Sequence, residues 1–186
     1  MAIASRRLTL DQFLELPEEK PALEFVDQVV TRKVPPKGKH SRLQTELVER
    51  LNQAGRPHKL ALAFTELRTT FGGASRVPDV SVYLWNRIPL DATGQVANDF
   101  REPPDIAIEI ASPEQRGNAL TRRGLWYTAH GVRVALLVDP LDESVLAFRP
   151  GQAAVAWRGP DYIDMGDVLP DFRLTVAELF ASLRLQ

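Results

Sequence analysis

Two stretches of the chain alternate between apolar and polar positions with period two, the mark of a β-strand. In residues 77–84 (VPDVSVYL), Val80, Val82 and Leu84 share one face, and Asp79, Ser81 and Tyr83 share the other. In residues 103–113 (PPDIAIEIASP), Ile106, Ile108 and Ile110 share one face. Glu109 sits on the opposite face between Ala107 and Ala111. A carboxylate inside so apolar a strand is costly to bury unless its charge is compensated. The flanking alanines leave open space above it.

The remaining pattern predicts a helix over 9–16, with Thr9 and Gln12 at capping-box spacing and Pro17 as its stop. Residues 22–31 read as extended, with a turn at Asp27-Gln28 that suggests a hairpin. Residues 33–40 (KVPPKGKH) read as a loop. Leu43, Leu47 and Leu51 recur every four residues and predict an amphipathic helix over 41–54, stopped by Gly55. Strands are expected over 60–64 and 67–71, with a turn over 72–75, and an irregular excursion over 86–103. Then come a helix over 118–130 ending at Gly131, a strand over 132–139, a turn at Pro140-Leu141-Asp142, and strands over 145–149 and 153–157. A closing helix over 175–183 carries Thr175 and Glu178 at capping-box spacing. This order predicts one α/β domain, a central mixed β-sheet flanked by helices.

Composition narrows the chemistry. The 186 residues suit a single domain with a sizeable core. With 23 Lys+Arg against 24 Asp+Glu, charge is balanced, which argues against a strongly basic coat for nucleic acid but leaves room for local patches. The chain has no cysteine, so disulfides, thiol nucleophiles and thiolate zinc sites are excluded. There is no apolar run of the length a membrane helix needs and no signal-peptide core near the start, so a cytoplasmic protein is the expectation. Walker-type glycine loops, GxSxG, HExxH and dinucleotide fingerprints do not occur. An Asp and a Glu on neighbouring strands, with room over them, form the oxygen donor set that a magnesium site uses.

Pro78-Asp79, followed thirty residues on by Glu109 in an apolar strand, resembles the pattern of the PD-(D/E)XK nuclease superfamily. Further pieces sharpen the likeness: residues 108–113 (IEIASP), Arg123 with Tyr127 and Gly131-Val132, and residues 136–140 (LLVDP). Residues 22–27 (ALEFVD) and 169–172 (LPDF) complete it. In that order and spacing the chain resembles the Uma family of restriction-endonuclease-like proteins, over roughly residues 8–180. The resemblance implies a restriction-endonuclease-like fold spanning the whole chain as one domain. It also implies an endonuclease that hydrolyses phosphodiester bonds in DNA with Mg2+ or Mn2+. By motif match Asp79 and Glu109 are the metal ligands, joined by the backbone carbonyl of Ile110, and Glu24 matches an early acidic position that completes the site. Restriction-type nucleases cut two strands, so a homodimer is implied by analogy.

The chain departs from the superfamily at one position. The usual lysine two residues after the Glu is replaced by Ala111. The resemblance moves the basic residue to the following helix, where Arg123 stands. Arginine neutralises phosphate charge but does not deprotonate water near neutral pH. Arg116, Leu120, Arg123 and Tyr127 fall at helical spacing, a face that could look back over the carboxylates.

Blander readings stand beside these. Glu109 could pair with an arginine, Asp79 could cap a turn, Glu24 could sit on a surface hairpin, and Arg123 could make an ordinary ion pair. Asp105 reads as a turn or cap residue and Tyr127 as packing. Lys33, Lys37, Lys39, His40 and Arg42 form a basic stretch that contacts phosphates or is simply solvated. The departures at Ala111 and Arg123 also admit a catalytically weak nuclease-fold module that binds nucleic acid or protein, or a hydrolase of another phosphodiester such as RNA.

Overall fold

The structure is a computed structural model that describes residues 8–113 and 117–185. Its frame is a six-stranded mixed sheet. Along the chain it uses β3 (Ala61–Thr65), β6 (Val80–Leu84), β7 (Ile106–Ile110), β8 (Val134–Asp139), β9 (Ser144–Phe148) and β10 (Val155–Arg158), in the spatial order β10-β9-β8-β7-β6-β3. Only β7 and β8 are parallel; every other neighbouring pair is antiparallel. A parallel pair needs a crossover, and α3 (Gly117–Ala129) supplies it.

The period-two pattern divides the sheet's faces. Val80, Val82, Ile106, Ile108, Ile110, Val134, Leu136 and Val138 bury one face in the main core. Leu43, Leu47 and Leu51 of α2 (Gly38–Gly55), with Leu179 and Phe180 of α4 (Val176–Ala181), cover it. On the opposite face Ala107, Ala135 and Phe148 pack with Tyr127 and Trp126 of α3. This second face is the one that carries Glu109.

A second, four-stranded antiparallel sheet was not anticipated in the sequence. It joins β1 (Leu23–Val26), β2 (Val29–Arg32), β4 (Thr69–Phe71) and β5 (Ala74–Arg76) in the order β2-β1-β5-β4. Its hairpin turns at Asp27 and Gln28, both with positive φ (49° and 63°), the backbone of a two-residue turn matched to strand twist. The chain leaves β5 and enters β6 through Val77-Pro78-Asp79. The proline-aspartate pair therefore forms the corner between the two sheets.

Both expected capping boxes are present, at Thr9 with Gln12 ahead of α1 (Leu10–Leu14), and at Thr175 with Glu178 ahead of α4. Gly131 ends α3 with φ 98°, and the Val132 N–H donates to the Tyr127 carbonyl at 3.1 Å, closing a Schellman turn. Helix α2 starts at Gly38 rather than at residue 41, so His40 is helical and not part of a loop. Its N-cap, Lys37, makes no side-chain capping bond, so no cap residue marked the start. The turn expected over 72–75 is confined to Gly72-Gly73, because Ala74 and Ser75 pair back onto β4. Arg116 lies outside the described residues. Among the described residues, no helix is long and apolar enough to cross a membrane.

Candidate active site

Register brings the two motif carboxylates together. Val80 lies opposite Ile108 and Ser81 opposite Ala107, so one step further sets Asp79 level with Glu109 on the same face. Both are buried, at 2% and 5% exposure. Asp79 is fixed at several atoms. Its Oδ2 accepts the Ile110 N–H at 2.7 Å, and its backbone carbonyl accepts Gln44 Nε2 at 2.7 Å. Its Oδ1 receives Lys33 Nζ at 2.6 Å. Ile110 thus meets Asp79 through its N–H.

Glu109 is held from α3. The Tyr127 hydroxyl donates to its Oε1 at 2.7 Å, and Arg123 Nε lies 2.7 Å from the same oxygen. Arg123 also pairs with Glu24, whose Oε1 accepts the Val77 N–H at 2.8 Å. Glu24 therefore comes from the small sheet into the site, not onto a surface hairpin. Arg123 and Tyr127 stand four residues apart on α3 and reach the same carboxylate, as the helical spacing suggested. Tyr127 is fully buried and packs as expected, but its hydroxyl also bonds Glu109.

The electrostatics follow from burial and pairing. Burial pushes the Asp79 carboxyl up, but the His40 ring and the Lys33 ammonium outweigh it and hold it at about 2. Burial pushes Glu109 up, and neither Arg123 nor Lys33 fully offsets this while the Asp79 charge adds to it. Burial and then the Glu109 charge push the Tyr127 hydroxyl well above its ordinary range, so it is a hydrogen-bond donor. Burial opposes the charge on Arg123, yet Glu109, Tyr127 and Glu24 more than restore it.

Sequence reasoning missed Lys33 as a member of this constellation, having grouped it with surface bases. It follows directly on β2, yet its Nζ also donates to the Val77 carbonyl at 2.7 Å. Forty-six residues separate it from Asp79, and only the hairpin and corner bring them together. A single lysine after a β-hairpin carries no local signal for that. His40, in the same stretch, also turns inward: its Nε2 is 3.3 Å from Asp79 Oδ1. Arg42 instead pairs with Glu46 along α2. Asp105, expected at a turn or cap, is instead a fully buried ion-pair partner of Arg87 and Arg133 that accepts the Leu84 N–H at 2.8 Å.

The donor chemistry fits a hard divalent cation. Among the described residues, no three His, Cys, Asp or Glu side chains are arranged to enclose a metal. Magnesium does not need such a cage, since it binds through one or two carboxylates and keeps water and phosphate oxygens. Asp79 and Glu109 meet that requirement. Both ring nitrogens of buried His40, beside Asp79, have no hydrogen-bond partner. The pocket thus has bonding capacity that its protein groups do not fill. A cavity of about 160 Å³ opens beside Ala111, lined also by Ser112, Leu120, Leu137 and Lys39.

Comparison with known proteins identifies the family and the fold. A family model, Uma2, described as "Putative restriction endonuclease", matches residues 10–177. The fold is similar to a crystal structure of a putative nuclease belonging to DUF820 from Anabaena variabilis ATCC 29413. The two share 39% identity and a TM-score of 0.92, over 95% of this chain and 99% of that one. No curated protein matches the chain.

Proposed function

Because the chain belongs to the Uma2 family of putative restriction endonucleases, we propose that it hydrolyses phosphodiester bonds in DNA with the help of Mg2+ or Mn2+. The observation that carries this reading is the meeting of Asp79 and Glu109 on adjacent strands, with two cationic side chains, Arg123 and Lys33, brought onto them from other elements.

Asp79 and Glu109 would hold the metal, with the Ile110 carbonyl at the end of β7 as a backbone donor. A bound divalent cation supplies Lewis-acid polarisation of the phosphate and acidifies water. Arg123 stays charged and serves as a fixed positive group for the charge that builds on the phosphate oxygens. It is held in place by Glu24 on one side and Glu109 on the other. Glu24 therefore acts by orienting Arg123. Tyr127, by donating to Glu109, keeps one of its oxygens directed toward α3 and leaves the other for a ligand.

The test is nicking of supercoiled plasmid with Mg2+ or Mn2+, comparing the parent with Asp79→Asn and Glu109→Gln. Metal-dependent nicking that falls at least 100-fold in both variants is the expected result. Equal nicking by all three preparations would locate the activity elsewhere and end this assignment.

A further inference from the structure

Lys33 occupies an unusual place. Its side chain is only 10% exposed, and lysine is seldom buried unless paired. Its ammonium sits 2.6 Å from Asp79 Oδ1, while Oδ2 is taken by the Ile110 N–H. Oδ1 is thus the Asp79 oxygen left for a metal, and an internal cation already stands on it. The rest of the surroundings is consistent with an exchangeable contact. Lys33 hangs from the start of the loop joining β2 to α2, anchored by its own N–H to the Ala22 carbonyl at 2.9 Å. Its four-carbon stem lets the head group move while the backbone stays fixed. The His40 ring beside Oδ1 keeps both nitrogens without hydrogen bonds, so polar atoms that the protein's own groups do not satisfy adjoin this oxygen.

We infer that Lys33 is a resident counter-ion of the site: it neutralises Asp79 when metal is absent, and a divalent cation must displace it from Oδ1 to bind. A monovalent ammonium and a divalent ion repel each other and claim the same lone pairs, so they exchange rather than share. The inference rests on the metal-dependent reading above. It also gives a role to a lysine that reaches the site from the β2–α2 loop, where Ala111 leaves the usual strand position without one.

The experiment is Mn2+ titration of the full chain without nucleic acid, reading free Mn2+ by electron paramagnetic resonance, for the parent, Lys33→Met and Asp79→Asn. The expected result is Mn2+ binding at least 10-fold tighter in Lys33→Met than in the parent, and lost in Asp79→Asn. Loss of packing alone would weaken binding, so a gain in affinity is not what a purely structural lysine gives. Thermal melting confirms that each variant is folded. If Lys33→Met does not fold, Lys33→Gln, which retains a donor for the Val77 carbonyl, carries the same expectation. Parent binding that depends on Asp79 but is equal or weaker in the Lys33 variant overturns the counter-ion role and leaves the metal-dependent reading standing. No Mn2+ binding by any variant overturns both.

Discussion

Asp79 and Glu109 lie side by side in the same buried site, yet their titrations oppose each other. Asp79 is held at about 2, below its ordinary 3.8, because its neighbours favour the ionised form more than burial disfavours it. Its contribution to stability is therefore complete above pH ~4 and is lost as pH falls through about 2. Glu109 is raised by burial, so its contribution is complete at low pH and declines as pH climbs above its ordinary 4.5. For metal-free protein, urea unfolding at pH 5, 3 and 2 should show the parent losing roughly 2 kcal/mol more than Asp79→Asn across that range, at about 1.4 kcal/mol per pKa unit. Parallel pH profiles would show that the Lys33 and His40 contacts do not hold the carboxyl down. At this scale the sequence was informative where a residue broke its own strand's pattern, as Glu109 does among isoleucines. It was silent on Lys33 and ambiguous on Glu24, because their importance comes from what folding places opposite them.

The site's accuracy depends on how closely α3 lies on the sheet. Gly124 sits next to Arg123 in that helix, and a Cβ built there would stand 2.5 Å from Phe148 Cδ2 on β9. The glycine allows the close approach that lets Arg123 and Tyr127 reach Glu109. Gly124→Val should destabilise the protein by about 1–3 kcal/mol through overpacking and force the helix outward. The measurement is a urea midpoint together with nicking rate. Adding Phe148→Leu should recover part of both, and a Gly124→Val protein with parent stability would show that the contact is loose. Elements were legible where periodicity and capping chemistry agreed, as at the two capping boxes and at β7. They were misjudged where a structural boundary lacks a chemical marker. Ser41 looks like the start of α2, but the helix begins three residues earlier at Gly38, behind a lysine N-cap that makes no side-chain capping bond.

At the scale of the molecule, the site is a junction. The small sheet contributes Glu24 and the lysine following β2, the corner contributes Asp79, and the large sheet with α3 contributes Glu109, Arg123 and Tyr127. A cation that binds across such a junction stabilises the folded form by mass action. At 100 times its Kd, Mn2+ should add about 2.7 kcal/mol. Differential scanning calorimetry should register this as a rise in Tm of roughly 5–10 °C. The rise should vanish in a double Asp79→Asn, Glu109→Gln variant, and an equal rise there would place the bound cation elsewhere. The α/β class and the mixed sheet were readable from the order of elements. The separate small sheet was not, because strands of three or four residues joined across distant parts of the chain leave no periodic trace.

The parallel pairing of β7 with β8 bears on how the protein is made. Glu24, Lys33, Asp79, Glu109, Arg123 and Tyr127 have all left the ribosome before β8 has. Until residues 134–139 follow, the strand bearing Glu109 has β6 on one side and no partner on the other, and α3 lacks the Ala135 and Phe148 side of its packing. The later-emerging β9 provides Phe148, against which Gly124 seats that helix. A nascent chain stalled between α3 and β8 therefore holds every side chain of the site without their arrangement, so the site is assembled only once synthesis has moved past that point.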